Sequence, residues 1–370
     1  MKRFNVIALS NYILLMQFLV YFIIIFTGNQ YIIYFNCFIG LIGFLVSADL
    51  YSKPQKGKVI YLCMCMFLLL SLNNLFVGNS EMKYMLVEIF SYGSTAYLLQ
   101  NGGIKKKLFW RLFICFSAIV TYRGIFKGFD TGALFFLASQ NYITIYLPIV
   151  LLPYYVACSE KYEQPSIMPA LLMLFLSVIS LGRGNLVFSL LFIIATFIKN
   201  NIIRKKGKGL SFIFSSIIIF IVIFYFLSDK DFVNQYLYRF VLSAEKGVEE
   251  EARYIMWATY SSHIFDSPLN FILGFNIHSL FFGEYHHMHN SFIMLHYYGG
   301  ILFFISCMFL IIKGLCRIYS DKKYDLFILL LSFFIKSFLD WTFPMAIGSI
   351  VLWYTILYPF MSKARSLLKQ

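Results

Sequence analysis

Residues 289–312 read HNSFIMLHYYGGILFFISCMFLII, and how that stretch is taken decides the fold. It holds no Asp, Glu, Lys or Arg and is far longer than an ordinary strand. It opens on Asn290 and Ser291, either of which is a natural helix N-cap. At ~1.5 Å per residue such a helix reaches across the ~30 Å hydrocarbon core of a bilayer, so it reads as a membrane span.

Working outward, the rest of the chain repeats the pattern. The 370 residues are 60% hydrophobic, 20% aromatic and only 13% charged, with a mean hydropathy of +0.75. A soluble domain of this size lacks the interior to hide that much apolar surface. Twelve spans are expected, at 5–26, 31–48, 59–77, 84–100, 108–122, 140–158, 166–181, 186–203, 210–227, 289–312, 325–342 and 344–361. The expected fold is an all-α polytopic membrane protein, one integral membrane domain over residues 1–370. Met1-Lys2-Arg3 resembles the start of a signal peptide, but no small-residue cleavage site follows, so the first span is read as uncleaved.

The net charge of +14 is not a nucleic-acid signature, because the bases punctuate apolar spans at regular intervals. With both termini in the cytoplasm, the inner connections carry Lys53, Lys56 and Lys58, then Lys105 to Lys107, Arg204 to Lys206, and Lys322 with Lys323. The short outer connections carry almost none: Lys83, Arg123 with Lys127, and Arg183. That asymmetry sets the orientation, since Lys and Arg are retained on the cytoplasmic side during insertion. Seven cysteines lie in or beside spans and form no disulfide framework.

One outer segment, residues 228–288, is long and polar, and its acids outnumber its four bases. Residues 232–242 and 250–265 show apolar positions at helical spacing, which predicts two short amphipathic helices near the outer surface. All six histidines (263, 278, 286, 287, 289 and 296) fall between residues 263 and 296. Ionisable groups are costly near lipid, so this concentration marks a candidate site.

Three constellations carry chemistry. Gly182-Arg183-Gly184-Asn185 forms an outer turn after a short span, where a recessed guanidinium suits a phosphate; the alternative is an arginine reaching to lipid headgroups. Arg253 and Trp257 share a helix face, either as a cation beside a flat surface for a sugar or lipid neck, or as a simple cation–π pair. His289 stands at a helix start, where the dipole disfavours imidazolium and favours the neutral base. His296 lies deeper and reads as a satisfied interior histidine. Asp340 is positioned to orient His289 or pair with Arg253, or is simply a wetted interfacial acid. Arg123 is a candidate further phosphate contact, and Lys336 and Glu88 are intramembrane charges expected to pair or reach the interface. His286, His287 and His289 offer metal ligands, but no Asp or Glu stands at ligand spacing, so the site is read as metal-free.

Gly-Arg-Gly after one span, Arg-x-x-x-Trp in a long outer loop, and His-Asn opening the next span together resemble the O-antigen polymerase/ligase superfamily of bacterial membrane glycan transferases. The resemblance covers residues 167–345. It implies Arg183 and Arg253 on the diphosphate of a polyprenyl-linked donor, and His289 as base for the acceptor hydroxyl. Asp340 would be the supporting acid, with Asn290, Trp257, Asn185, Arg123 and His287 contacting substrate. Gly182 departs from the family, where Ser is commoner before the arginine.

The activity implied is polymerisation of lipid-linked repeat units of O-antigen, capsule or exopolysaccharide, on the extracytoplasmic face of the bacterial inner membrane. Inversion and no cofactor are expected, with donor and acceptor repeat units, membrane lipid, a flippase and a chain-length regulator as partners. A ligase using another acceptor, or a transporter that flips the lipid-linked sugar, are the alternatives.

Overall fold

A computed structural model of the chain describes residues 2–29, 31–48, 53–78, 82–128, 134–136, 140–180, 183–199, 252–275 and 289–361. The expected span 210–227 and helix 232–242 lie outside the described residues, as do His278, His286 and His287. Among the described residues the fold is all-helical, with no strand.

The elements in chain order are α1 (Lys2–Thr27), α2 (Ile32–Ser47), α3 (Lys53–Phe76) and α4 (Met82–Val87), the last running through a π-helical turn (Glu88–Gly93) into α5 (Ser94–Leu99). Then come α6 (Lys106–Lys127), α7 (Ile143–Glu160), α8 (Met168–Ile179) and α9 (Arg183–Ile198). The polar loop contributes α10 (Ala252–His263) and α11 (Pro268–Leu273), followed by α12 (Ser291–Ser320), α13 (Tyr324–Ser337) and α14 (Ser349–Met361). Five described helices are long and apolar enough to cross a membrane: those at Val6–Thr27, Gln55–Phe76, Lys106–Lys127, Ile143–Glu160 and Ser291–Ser320. Large apolar side chains such as Leu75, Phe126 and Leu45 are about three-quarters exposed (75%, 70% and 69%). Such a surface is compatible with a multi-pass membrane protein.

Packing pairs α1 with α2, α6 with α7, α8 with α9, and α12 with α14. Backbones approach where glycine allows it: a Cβ on Gly40 of α2 would collide with the Phe90 carbonyl, and one on Gly314 of α12 with the Thr355 carbonyl. The interior around the π turn is polar and joined by side-chain hydrogen bonds. Gln17 Nε2 donates to Ser94 Oγ at 2.8 Å, Asn36 Nδ2 to Ser91 Oγ at 2.9 Å, and Tyr21 shares its hydroxyl with Ser91 and Thr95. With lipid in place of water, each of these groups needs a protein partner.

Three differences from the expected spans matter for the site. First, the amphipathic segment 250–265 is helical over Ala252–His263, but the loop also holds α11, started by the Ser267 N-cap with Pro268 behind it. Second, α12 is broken inside its span at Gly300, whose φ is +70°. A Cβ there would strike the Ile272 carbonyl, so only glycine lets α11 settle onto the break. Asn73 of α3 donates its side-chain amide to the carbonyls of both Leu273 and Tyr297, satisfying groups at the break. Third, the expected spans 325–342 and 344–361 leave a single residue between them, whereas α13 stops at Ser337 and α14 starts at Ser349. The intervening loop persists because side chains take its amides: Ser291 Oγ accepts from Thr342 and Phe343, and Glu88 accepts from Met345. Asp340 therefore sits in this loop and not on the end of a span.

Candidate functional site

The start of α12 is built by Asn290, whose backbone is extended and whose side-chain oxygen accepts the Phe292 and Ile293 amides at 2.9 and 3.1 Å. The next residue, Ser291, is fully buried. Its hydroxyl donates to the Asp340 carbonyl at 3.0 Å and accepts the Thr342 amide at 2.7 Å. Thr342 Oγ1 meets Ser337 Oγ at 2.7 Å. This hydroxyl chain pins the 338–348 loop to the first turn of α12.

The result is a close approach of His289 and Asp340. His289 Nδ1 lies 4.0 Å from Asp340 Oδ1, with the imidazole 37% exposed and the carboxylate only 2%. The other oxygen, Oδ2, lies 2.7 Å from Lys336 Nζ, itself 3% exposed. His289 adopts φ +45°, a left-handed conformation that non-glycine residues visit rarely and that turns the ring back over the loop. At 4.0 Å this is an electrostatic approach and not a hydrogen bond. An approach to His289 was one of the alternatives the sequence left open for Asp340, whereas Lys336 was expected only to pair or reach the interface, with no partner named.

The loop helix α10 lies along the same stretch of α12. Met256 and Tyr260 are buried with Phe275, Met294 and Tyr297, and Trp257 packs against that cluster half-buried. Tyr260 and His296 join at 2.6 Å between the phenol and Nδ1. His296 Nε2 lies 2.8 Å from the Phe271 carbonyl. A carbonyl only accepts, so Nε2 carries the proton and Nδ1 accepts from Tyr260. Burial pushes the Tyr260 phenol well above its usual pKa, which keeps it a donor. His296 thus holds α10 and α11 against α12.

No family model matches the chain, no curated protein matches it, and no solved structure matches it.

The remaining site residues divide as follows. Arg253 is the second residue of α10 and Arg183 the first of α9; their side chains are outside the described atoms. Asn185 is buried, and its side-chain oxygen accepts from Thr144 Oγ1 at 2.6 Å, joining the starts of α9 and α7. Tyr142, just before α7, donates to the Trp341 carbonyl at 3.4 Å. Through these contacts the Arg183 end of α9 lies at the same end of the bundle as His289 and Asp340. Arg123 Nη1 donates to the Phe26 carbonyl in the last turn of α1 at 3.0 Å, and its guanidinium stands 5.4 Å from the Phe26 ring. That is a C-terminal capping contact, the ordinary use of a cation at a helix end. His287 falls outside the described residues. Among the described residues no three His, Cys, Asp or Glu side chains gather as metal ligands.

Sequence reading took Ser291 only as an alternative N-cap and overlooked Thr342 and Ser337, whose hydroxyls carry no pattern along the chain. It also did not connect Glu88 to this region. Glu88 is 1% exposed, and its carboxylate accepts the Met345 amide at 2.9 Å and the Trp353 indole N–H at 3.0 Å. Its position in a π-helical turn is the kind of irregularity that often marks functional helices.

Proposed function

We propose that this protein is a glycan polymerase: it transfers a growing oligosaccharide from its polyprenyl-diphosphate carrier to a sugar hydroxyl of a fresh lipid-linked repeat unit. The observation that carries this reading is the apposition of His289 with the buried Asp340–Lys336 pair at the start of α12. His289 Nε2 takes the proton of the attacking hydroxyl as the new C–O bond forms, and Asp340 stabilises the resulting imidazolium through Nδ1. Lys336 balances the Asp340 charge, so the carboxylate is tolerated in a buried site while no substrate is bound.

The glycosidic bond to the diphosphate breaks with its electron pair leaving on the phosphate oxygen. Arg183 and Arg253 meet that developing charge, in the role a divalent metal has elsewhere. Attack from the face opposite the leaving group inverts the anomeric centre. Support for both arginines is positional: α10 packs on Met294 and Tyr297 in the first turns of α12, and α9 starts at the same bundle end.

The topology that goes with this reading has twelve spans, both termini in the cytoplasm and the site on the extracytoplasmic face of the bacterial inner membrane. It is supported by which helix ends hydrogen-bond together. The α1 end meets Arg123, and Tyr142 meets Trp341. At the opposite ends, Gly103 meets Glu160, Lys199 pairs with Asp325, and Tyr358 meets Asp321.

The test is the glycan profile of a deletion strain complemented with Arg183→Ala, Arg253→Ala or His289→Ala. Single repeat units on the carrier are the expected product. Carrier-bound full-length polymer would point to a ligase, unflipped cytoplasm-facing units to a transporter, and an unchanged profile would remove the site altogether.

A further inference from the structure

A cavity of about 270 Å³ lies beside the 338–348 loop, among the ends of α1, α7 and the π-helical turn. Four tyrosines line it (Tyr21, Tyr92, Tyr142 and Tyr146), together with Trp341 and Thr342, the two residues that follow Asp340. Two of the tyrosines are already committed: Tyr21 to Ser91 and Thr95, and Tyr142 to the Trp341 carbonyl. The Tyr92 and Tyr146 hydroxyls hydrogen-bond to nothing among the described residues, although Tyr92 is only 7% exposed. A hydroxyl that lines a cavity can donate to and accept from a water or a ligand held there.

The chemistry of the walls narrows the ligand. Aromatic faces suit an apolar ring face, while uncommitted phenols suit a rim of hydroxyls; a pyranose ring carries both. A hydrocarbon tail would leave the phenols unsatisfied. Size agrees, since pockets for drug-sized ligands run from ~300 to ~1,000 Å³ and this one admits little more than a single ring.

We infer that this cavity binds one sugar ring of the acceptor repeat unit, holding it beside the Asp340 loop. The inference rests on the transferase reading above and adds to it where the acceptor sits. It also assigns a role to the first half of the chain, from which all four tyrosines come: Tyr21 on α1, Tyr92 in the π-helical turn, Tyr146 on α7 and Tyr142 just before it.

The experiment uses the full-length protein in nanodiscs and, as probe, the repeat-unit oligosaccharide released from its carrier by mild acid. Binding is followed by saturation-transfer NMR, titrated against wild type, the Tyr92→Phe/Tyr146→Phe double variant, and Ala346→Phe, which fills the cavity from a lining position. The expected result is saturable binding to wild type, weakened about tenfold or more by losing two hydrogen bonds and abolished by filling. Circular dichroism melting of each variant confirms that a loss of binding is not a loss of fold. Equal affinity in all three folded proteins would overturn the inference, as would wild type that binds no sugar while lipid or water occupies the space. The deletion strain's glycan profile judges the transferase reading separately. Normal polymerisation by both cavity variants would reject the acceptor site and leave that reading intact.

Discussion

Glu88 Oε2 accepts the Met345 amide at 2.9 Å, so a carboxylate buried in the first half of the chain holds the loop that presents Asp340 to His289. Its second oxygen takes the Trp353 indole N–H at 3.0 Å, which locks the same carboxylate to α14. Glu88→Ala leaves two buried donors without an acceptor, at about 1–3 kcal/mol each. The expected outcome is a clearly lower melting temperature and loss of polymer, with Glu88→Gln intermediate because an amide oxygen still accepts. Wild-type melting of the alanine variant would refute this anchoring role.

The Lys336–Asp340 pair separates stability from chemistry. Removing one partner strands the other charge, so Lys336→Met or Asp340→Leu alone is expected to destabilise by roughly 3–5 kcal/mol. The double variant, with both charges replaced by apolar groups, is expected to recover most of that loss and yet stay inactive. Denaturation in detergent measures the first effect and glycan ladders the second. Polymer made by the double variant would show that Asp340 has no part in catalysis.

Tyr260 donates to His296 Nδ1 at 2.6 Å and so fastens α10, the helix bearing Arg253. Tyr260→Phe removes one buried hydrogen bond, about 1 kcal/mol, and leaves the ring packing in place. Faster amide exchange over 252–263, with α14 unchanged, is the predicted signature. Unaltered exchange there would show that apolar packing alone seats the helix.

Gly300 gives a sharper contrast. Its φ of +70° and the Ile272 carbonyl against it leave no room for a side chain, so Gly300→Ala is expected to cost more than the ~1–3 kcal/mol of backbone strain. Gly57→Ala, with nothing within 4 Å of the added methyl, is the matched control and is expected to be neutral. Melting curves of the two variants, compared side by side, decide it.

At the opposite end of the bundle, Lys106 holds the Glu163 carboxyl below the usual carboxylate range through a direct hydrogen bond. A depressed carboxyl contributes stability above its unfolded pKa, near 4, and loses that contribution as pH falls through the folded value. Because the pair is exposed, the effect is small. The melting difference between wild type and Glu163→Gln should be slight at pH 6 and vanish in acid; a difference that grew on acidification would contradict this sign.

Legibility followed locality. The helices at Ile32–Ser47, Ile143–Glu160 and Ala252–His263 were readable because apolar periodicity is written in adjacent residues. The N-cap, expected at Asn290 or Ser291, is Asn290, also legible from neighbouring residues. Nothing local announced that spans 325–342 and 344–361 would be parted by an eleven-residue loop from 338 to 348, because the partners of its amides, Ser291 and Glu88, are remote in sequence.

By itself, then, the sequence determined that this chain is helical and suited to lipid, and which polar residues were costly enough to need a purpose. Lipid offers no hydrogen bonds, so long apolar runs must be helices and stray charges must find partners within the protein. Which partners they found was decided only in three dimensions. Of the alternatives open to it, Asp340 came to face His289 while pairing with Lys336 four residues before it, and Glu88 reached across to Met345 because helix packing sets which remote polar groups lie within a few ångströms.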